Sequence, residues 1–186
     1  MFSIDTSRDF LAKLEADFAD SAKEPGSGRL ALNCAMTAYH MHEWVWGDWL
    51  KTDYAVWKAL GIRDVETFLA WIDEVCPWFP VIQGLTNGAK HFTRNQPFQA
   101  LRVGAPPFMF GTPGAGFDEG AWDGPMPYVT GGKEFLLFDF GPEAAEHRWM
   151  PAAMLIEVVV RFWREFFERY APPVHGEAST NRAESS

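Results

Sequence analysis

Acidic residues are missing from one long interval of an otherwise acidic chain. No Asp or Glu occurs between Glu74 and Asp118, while Lys90, Arg94 and Arg102 fall inside that interval. The formal net charge of −9 excludes a generic nucleic-acid coat, because such binding draws on Lys and Arg facing phosphates. The uneven distribution still leaves room for a local anion site. Cysteine is scarce. Cys34 and Cys76 form no CxxC pair, so the chain carries no metal or redox signature. Cys34, set among apolar positions, reads as a small core residue. No run approaches the roughly twenty apolar residues needed to cross a bilayer. The first residues lack the basic and apolar blocks of a signal peptide, and no internal repeat is visible. The expectation is a cytoplasmic protein with no membrane partner.

What the chain does have is aromatic bulk. Nine Trp and sixteen Phe stand within a hydrophobic fraction of 47%, which suffices for a real core. A length of 186 residues fits one domain.

Apolar spacing predicts a first helix over residues 7–22, capped by Asp5 or Thr6, with Phe10, Leu11, Leu14 and Phe18 as its stripe. Pro25 and Gly26 stop it. A second helix, 29–51, is apolar over more than half its girth through Ala31, Cys34, Ala35, Ala38, Met41, Val45, Trp46 and Trp49. Such a helix belongs at the centre of a bundle. Its remaining strip holds Asn33, Thr37, His40, Glu43, Trp44 and Gly47; His40 and Glu43 are spaced to meet. His42 turns toward the apolar side and reads as a core histidine. Asp64 caps a third helix, 65–75, that buries Phe68, Leu69, Ile72 and Val75 with Trp71 beside them, and Pro77 ends it.

The next helix, 78–94, divides into two faces. Trp78, Val81, Ile82, Leu85, Ala89 and Phe92 form a core stripe, and Gln83, Asn87, Lys90, His91 and Arg94 form a polar row. Asn is an uncommon filler of an exposed helical face, so this row is the best candidate site.

Beyond it, residues 98–103 read as a strand and 104–127 as a Gly- and Pro-rich loop bearing Phe108, Phe110, Phe117 and Trp122. Residues 128–130 and 134–140 flank Gly131 and Gly132 as a β-hairpin, and 147–150 return as one more strand. A final helix, 151–170, buries Leu155, Val159, Phe162, Trp163, Phe166 and Tyr170. The expected fold is mainly α, α+β by content: an antiparallel bundle of about five helices with a small antiparallel β-appendage, residues 97–150, inserted before the last helix. Residues 1–170 make one domain, and 171–186 form a disordered tail.

A long helix carrying His40, Met41, His42, Glu43 and Trp44, followed by a helix ending in Asn87, Gly88, Ala89, Lys90 and His91, resembles the HEPN-like helical bundles. That family carries an Arg, a polar residue directly after it, and a His four to six residues further on. Asn87 and His91 match the polar and His positions, whereas the Arg position falls on Thr86. The resemblance implies a homodimer acting on RNA without a metal, in a composite site. His91 would be its acid or base, with Asn87 beside it. Lys90, Arg94, Gln83, His40 and Glu43 would hold the RNA or nucleotide, with no cofactor. A threonine cannot supply the planar fork of a guanidinium, so the implied endoribonuclease chemistry is degenerate or lost.

Two further functional readings stand beside this one. The chain is a non-enzymatic dimeric module that binds a protein or a small ligand, or His40, Glu43 and His91 ligate a metal between helices, although three donors without a paired histidine motif make a poor ligand set. Two purely structural readings complete the set: the row is a solvated face, or Asn87 and His91 only bond to neighbouring helices.

Overall fold

The computed structural model describes residues 4–91, 99–104, 134–140 and 149–173, with residues 88–91, 99–104 and 134–135 described by their backbone. Helix α1 (Ser7–Lys23) starts at Thr6, whose side chain accepts from the Asp9 N–H while the Asp9 carboxylate accepts from Thr6 in return. This reciprocal bonding satisfies N–H groups that have no partner within the helix. Helix α2 (Gly28–Asp48) follows a turn at Pro25, and Ser27 caps it. It ends earlier than its hydrophobic pattern suggests. A 3-10 turn (Leu50–Thr52) takes over and leads into a short helix, α3 (Tyr54–Leu60). Helix α3 was not expected from the sequence because it buries no residue and so shows no apolar stripe. It stops at Gly61, whose φ of 72° is the left-handed conformation that glycine adopts without steric cost.

Helix α4 (Val65–Val75) keeps the expected bounds and the expected Asp64 cap. Of its predicted buried side, Phe68 and Ile72 are enclosed, but Val75 is 47% exposed. Helix α5 (Phe79–His91) starts within one residue of its expected position, and Arg94 lies outside the described residues. The chain returns to the bundle as α6 (Ala152–Tyr170). The described helices form a bundle in which α1 and α2, and α2 and α5, run antiparallel, while α2 and α6 run in the same direction. The Ser7 N–H and hydroxyl at the start of α1 donate to Asp48 at the end of α2, and Gln83 and Phe79 of α5 meet Tyr39 and His42 of α2 in reverse order. Among the described residues, no helix is long and apolar enough to cross a membrane.

Strands β1 (Gln99–Gly104), β2 (Glu134–Asp139) and β3 (Trp149–Pro151) form one antiparallel sheet in that order. Gln99 pairs with Asp139 and Gly104 with Glu134, while Phe138 pairs with Met150 on the other side. The expected hairpin arm at 128–130 lies outside the described residues, as do the loop at 105–127 and the tail from 174. Strand β2 takes β1 and β3 as its neighbours instead. Its Leu136 N–H also donates to the Pro25 carbonyl at 3.1 Å, tying the sheet to the α1–α2 turn.

The core gathers around α2 and α6. Ala35, Ala38 and Cys34 let α6 approach closely, and Trp163 fills the space above them with no exposed surface. Phe68 is also fully enclosed and meets Trp46, Trp71, Trp163 and Phe166. Replacing Phe68 by Ala is expected to cost about 3–5 kcal/mol of unfolding free energy in urea titrations. Tyr54→Ala, at a site 72% exposed, is expected to change it by less than about 0.5 kcal/mol.

Candidate functional site

The polar row of α5 is built differently from its helical-wheel expectation. Phe79, Ile82 and Thr86 are the enclosed residues, while Trp78, Val81 and Leu85 are only half-buried. At about 100° per residue the true core stripe is rotated by roughly 80° from the predicted one. The physical reason is a second apolar neighbour. Trp78 lies against Phe140 just past β2, with ring centroids 6.0 Å apart, so the sheet side takes part of the helix that the bundle does not.

This rotation decides where each candidate goes. Gln83, expected on the open face, is half-buried and donates to the Tyr39 hydroxyl at 3.2 Å. Thr86 is 5% exposed, and its hydroxyl donates to the Ile82 carbonyl at 3.0 Å. Asn87 is exposed. The side chains of Lys90 and His91 lie outside those described, as does all of Arg94.

On α2, the polar strip splits between two neighbours. Asn33 and Thr37 belong to α1: Asn33 donates to Asp17 at 3.0 Å, and Thr37 accepts from Lys13 and donates to the same Asp17. Trp44 stacks on Phe10 at 4.7 Å. His40 and Glu43 stay at the surface, with His40 Nδ1 3.1 Å from Glu43 Oε2. Their side chains are 39% and 60% exposed, which makes this a loose surface pair rather than a locked dyad. Met36, one turn before His40, is 41% exposed. The open groups of the α2–α5 seam are therefore Met36, His40, Glu43 and Asn87, with Tyr39 and Gln83 bridging between the helices.

Among the described side chains, the predicted site residues part company: His40 pairs with Glu43, Gln83 turns to Tyr39, and Asn87 is exposed. Gln83 sits beside Tyr39, and α5 runs opposite to α2, so the His91 backbone lies about 12 Å further along the axis, away from His40. Among the described residues, no three His, Cys, Asp or Glu side chains are grouped to hold a metal. No described family, curated protein or solved structure matches the chain.

Beneath the surface pair lies the expected core histidine, with an acidic neighbour that the sequence did not disclose. His42 is 4% exposed, as expected of a core histidine, with Nδ1 2.6 Å from the Tyr39 carbonyl and its ring edge-on to Phe79. The carbonyl can only accept, so Nδ1 carries the proton and Nε2 is the nitrogen that titrates. Burial pushes the His42 pKa below its ordinary 6.5, against the pull of the Tyr39 carbonyl. Asp73 of α4 is its electrostatic neighbour. Burial raises the Asp73 carboxyl above 3.8, with His42 opposing, and Oδ1 is enclosed without a hydrogen-bond partner among the described residues. Nothing in the spacing of α4 marked Asp73, because an acid between two buried turns looks like any surface acid. Both thiols are inert: burial lifts Cys34 to about 12 and Cys76 to about 11.

The lowered His42 pKa makes stability depend on pH. Its contribution is whole above pH 6.5 and is lost as pH falls through the folded-state value, because only the unfolded chain then takes up the proton. Asp73 acts oppositely: its contribution is whole below pH 3.8 and is lost as pH rises through its raised value. The urea midpoint of His42→Gln is therefore expected to fall less than that of the parent chain between about pH 7.5 and 5.5. Parallel titration curves for the two proteins would contradict the assignment.

Proposed function

We propose that this chain is an HEPN-like bundle that binds an RNA segment or a nucleotide along the α2–α5 seam without cleaving it. The observation that carries the reading is the contrast between neighbours on α5. Asn87 is exposed, whereas Thr86, at the position where the family places its arginine, is enclosed and spends its hydroxyl on Ile82. Cleavage through a phosphorane needs a cation fixed beside the reacting phosphate, and an inward threonine cannot supply it. Binding asks for less. Amides such as Asn87 recognise base edges through paired donors and acceptors, and the Tyr39 and His40 rings, 5.1 Å apart, offer surfaces against which an unstacked base packs. The acidic chain repels long phosphate runs, which favours a short single-stranded segment over a duplex. In this reading two copies pair with their seams facing each other, so that each ligand meets both.

A fluorescently labelled mixed-sequence RNA, titrated with the protein in chelator, is the direct test. Saturable binding is expected, weakened about tenfold by Asn87→Ala, with the RNA intact on a denaturing gel. Absence of binding overturns the reading. Cleavage that His91→Ala abolishes would instead establish a nuclease.

A further inference from the structure

A cavity of about 230 Å³ opens between α4 and α6. It shares no helix with the α2–α5 seam, so it stands or falls independently of the reading above. Its floor is Phe166, only 2% exposed, and its lip is Val75, 47% exposed, so this is a surface concavity and not a packing defect. The walls are aromatic. Trp71 meets Phe162 and Phe166 at 6.1 and 5.9 Å between ring centroids, tilted by 47° and 58°. Tyr170 meets Phe166 at 5.1 Å and 48°. Rings tilted at such angles pack edge against face, and their outer faces and edges line the concavity with apolar surface.

Charge at the mouth is unequal. Glu165 faces Arg161, with 3.9 Å between Oε1 and Nε, so its charge is answered within α6. Arg169 has no carboxylate within ion-pair distance among the described residues. Its guanidinium carbon lies 5.6 Å from the centre of the Tyr170 ring. A spare cation braced on an aromatic wall beside an apolar concavity calls for a ligand that is flat at one end and anionic at the other. Size narrows the class. A cavity of about 150 Å³ holds benzene, and drug-sized ligands need about 300 Å³ or more. The volume here lies between the two and admits one ring with a short acidic arm.

We propose that the α4–α6 cavity binds a single-ring aromatic carboxylate, its ring lying against the surface formed by Trp71, Phe162 and Phe166 and its carboxylate paired with Arg169. A second copy of the chain is the competing occupant, but a stable interface covers about 800 Å² on each partner, far more than this concavity offers.

Calorimetric titration of the full chain with phenylacetate, phenylacetamide and phenethylamine tests the proposal, because the three probes share a ring and differ in charge. Phenylacetate is expected to bind, phenylacetamide about tenfold more weakly, and phenethylamine more weakly again. Arg169→Gln, at an exposed site, should bring phenylacetate down to the level of the amide. Val75→Trp should fill the mouth and abolish binding of both, with the melting curve unchanged. If Val75→Trp misfolds, Arg169→Gln still decides the matter. Equal affinity for the three probes, affinity indifferent to Arg169→Gln, or no binding at the solubility limit overturns the proposal. So does a concentration-dependent dimer that Val75→Trp dissociates, which would assign the face to a second copy.

Discussion

One indole organises this bundle. Trp163 lies wholly inside the protein and donates from Nε1 to the Ala38 carbonyl of α2 at 2.8 Å, while its ring meets Phe68 of α4 and Phe79 of α5. A large aromatic carrying a polar N–H can be buried only where an acceptor is waiting, and helical carbonyls retain a lone pair for that purpose. The acceptor is reachable because the adjoining α2 residues are Cys34, Ala35 and Ala38, small enough to admit the ring to the backbone. Four helices are thus fixed about a single side chain, and the position of α5 relative to α2, which sets the seam, follows from it.

The sequence revealed the elements that bury a regular stripe. The bounds of helix α4 were readable because Asp64 caps it and Phe68 and Ile72 repeat at helical spacing, although Val75 of its predicted buried side is exposed. The central place of α2 followed from its girth of small and apolar residues. Helix α3 was illegible because Tyr54–Leu60 contributes no enclosed residue. Helix α5 was half legible. Its existence followed from periodicity, but its rotation did not, since Trp78, Val81 and Leu85 are as apolar as a core stripe yet only half-buried, with Trp78 against Phe140. Periodicity reports that a face is apolar and says nothing about which neighbour covers it. Thr86 compounded the error, because a threonine that bonds its own helix at Ile82 can enter a core that its side-chain class argues against.

The candidate site was legible as a list and not as an arrangement. His40 and Glu43 pair as their spacing requires, and Asn87 stays in solvent. Gln83, however, is drawn into the seam by Tyr39, a residue that no motif singled out. The His42–Asp73 neighbourhood shows a similar gap. Two ionisable groups from α2 and α4 meet only because Trp163 and Phe79 set the angle between their helices, and burial then shifts both pKa values against charge. Nothing local to either helix encodes that.

Helices α2 and α6, around which the core gathers, lie far apart along the chain. Ala38 and Trp163 are separated by 125 positions, so the hydrogen bond that joins α2 to α6 forms only once α6 has been made. During synthesis α1, α2, α4 and α5 can associate only around a vacant centre lined by Met41, Val45, Ile72 and Ile82. Distant closure of this kind slows folding and leaves greasy surface open to neighbours. A nascent chain stalled before α6 therefore leaves open the apolar surface that this helix covers.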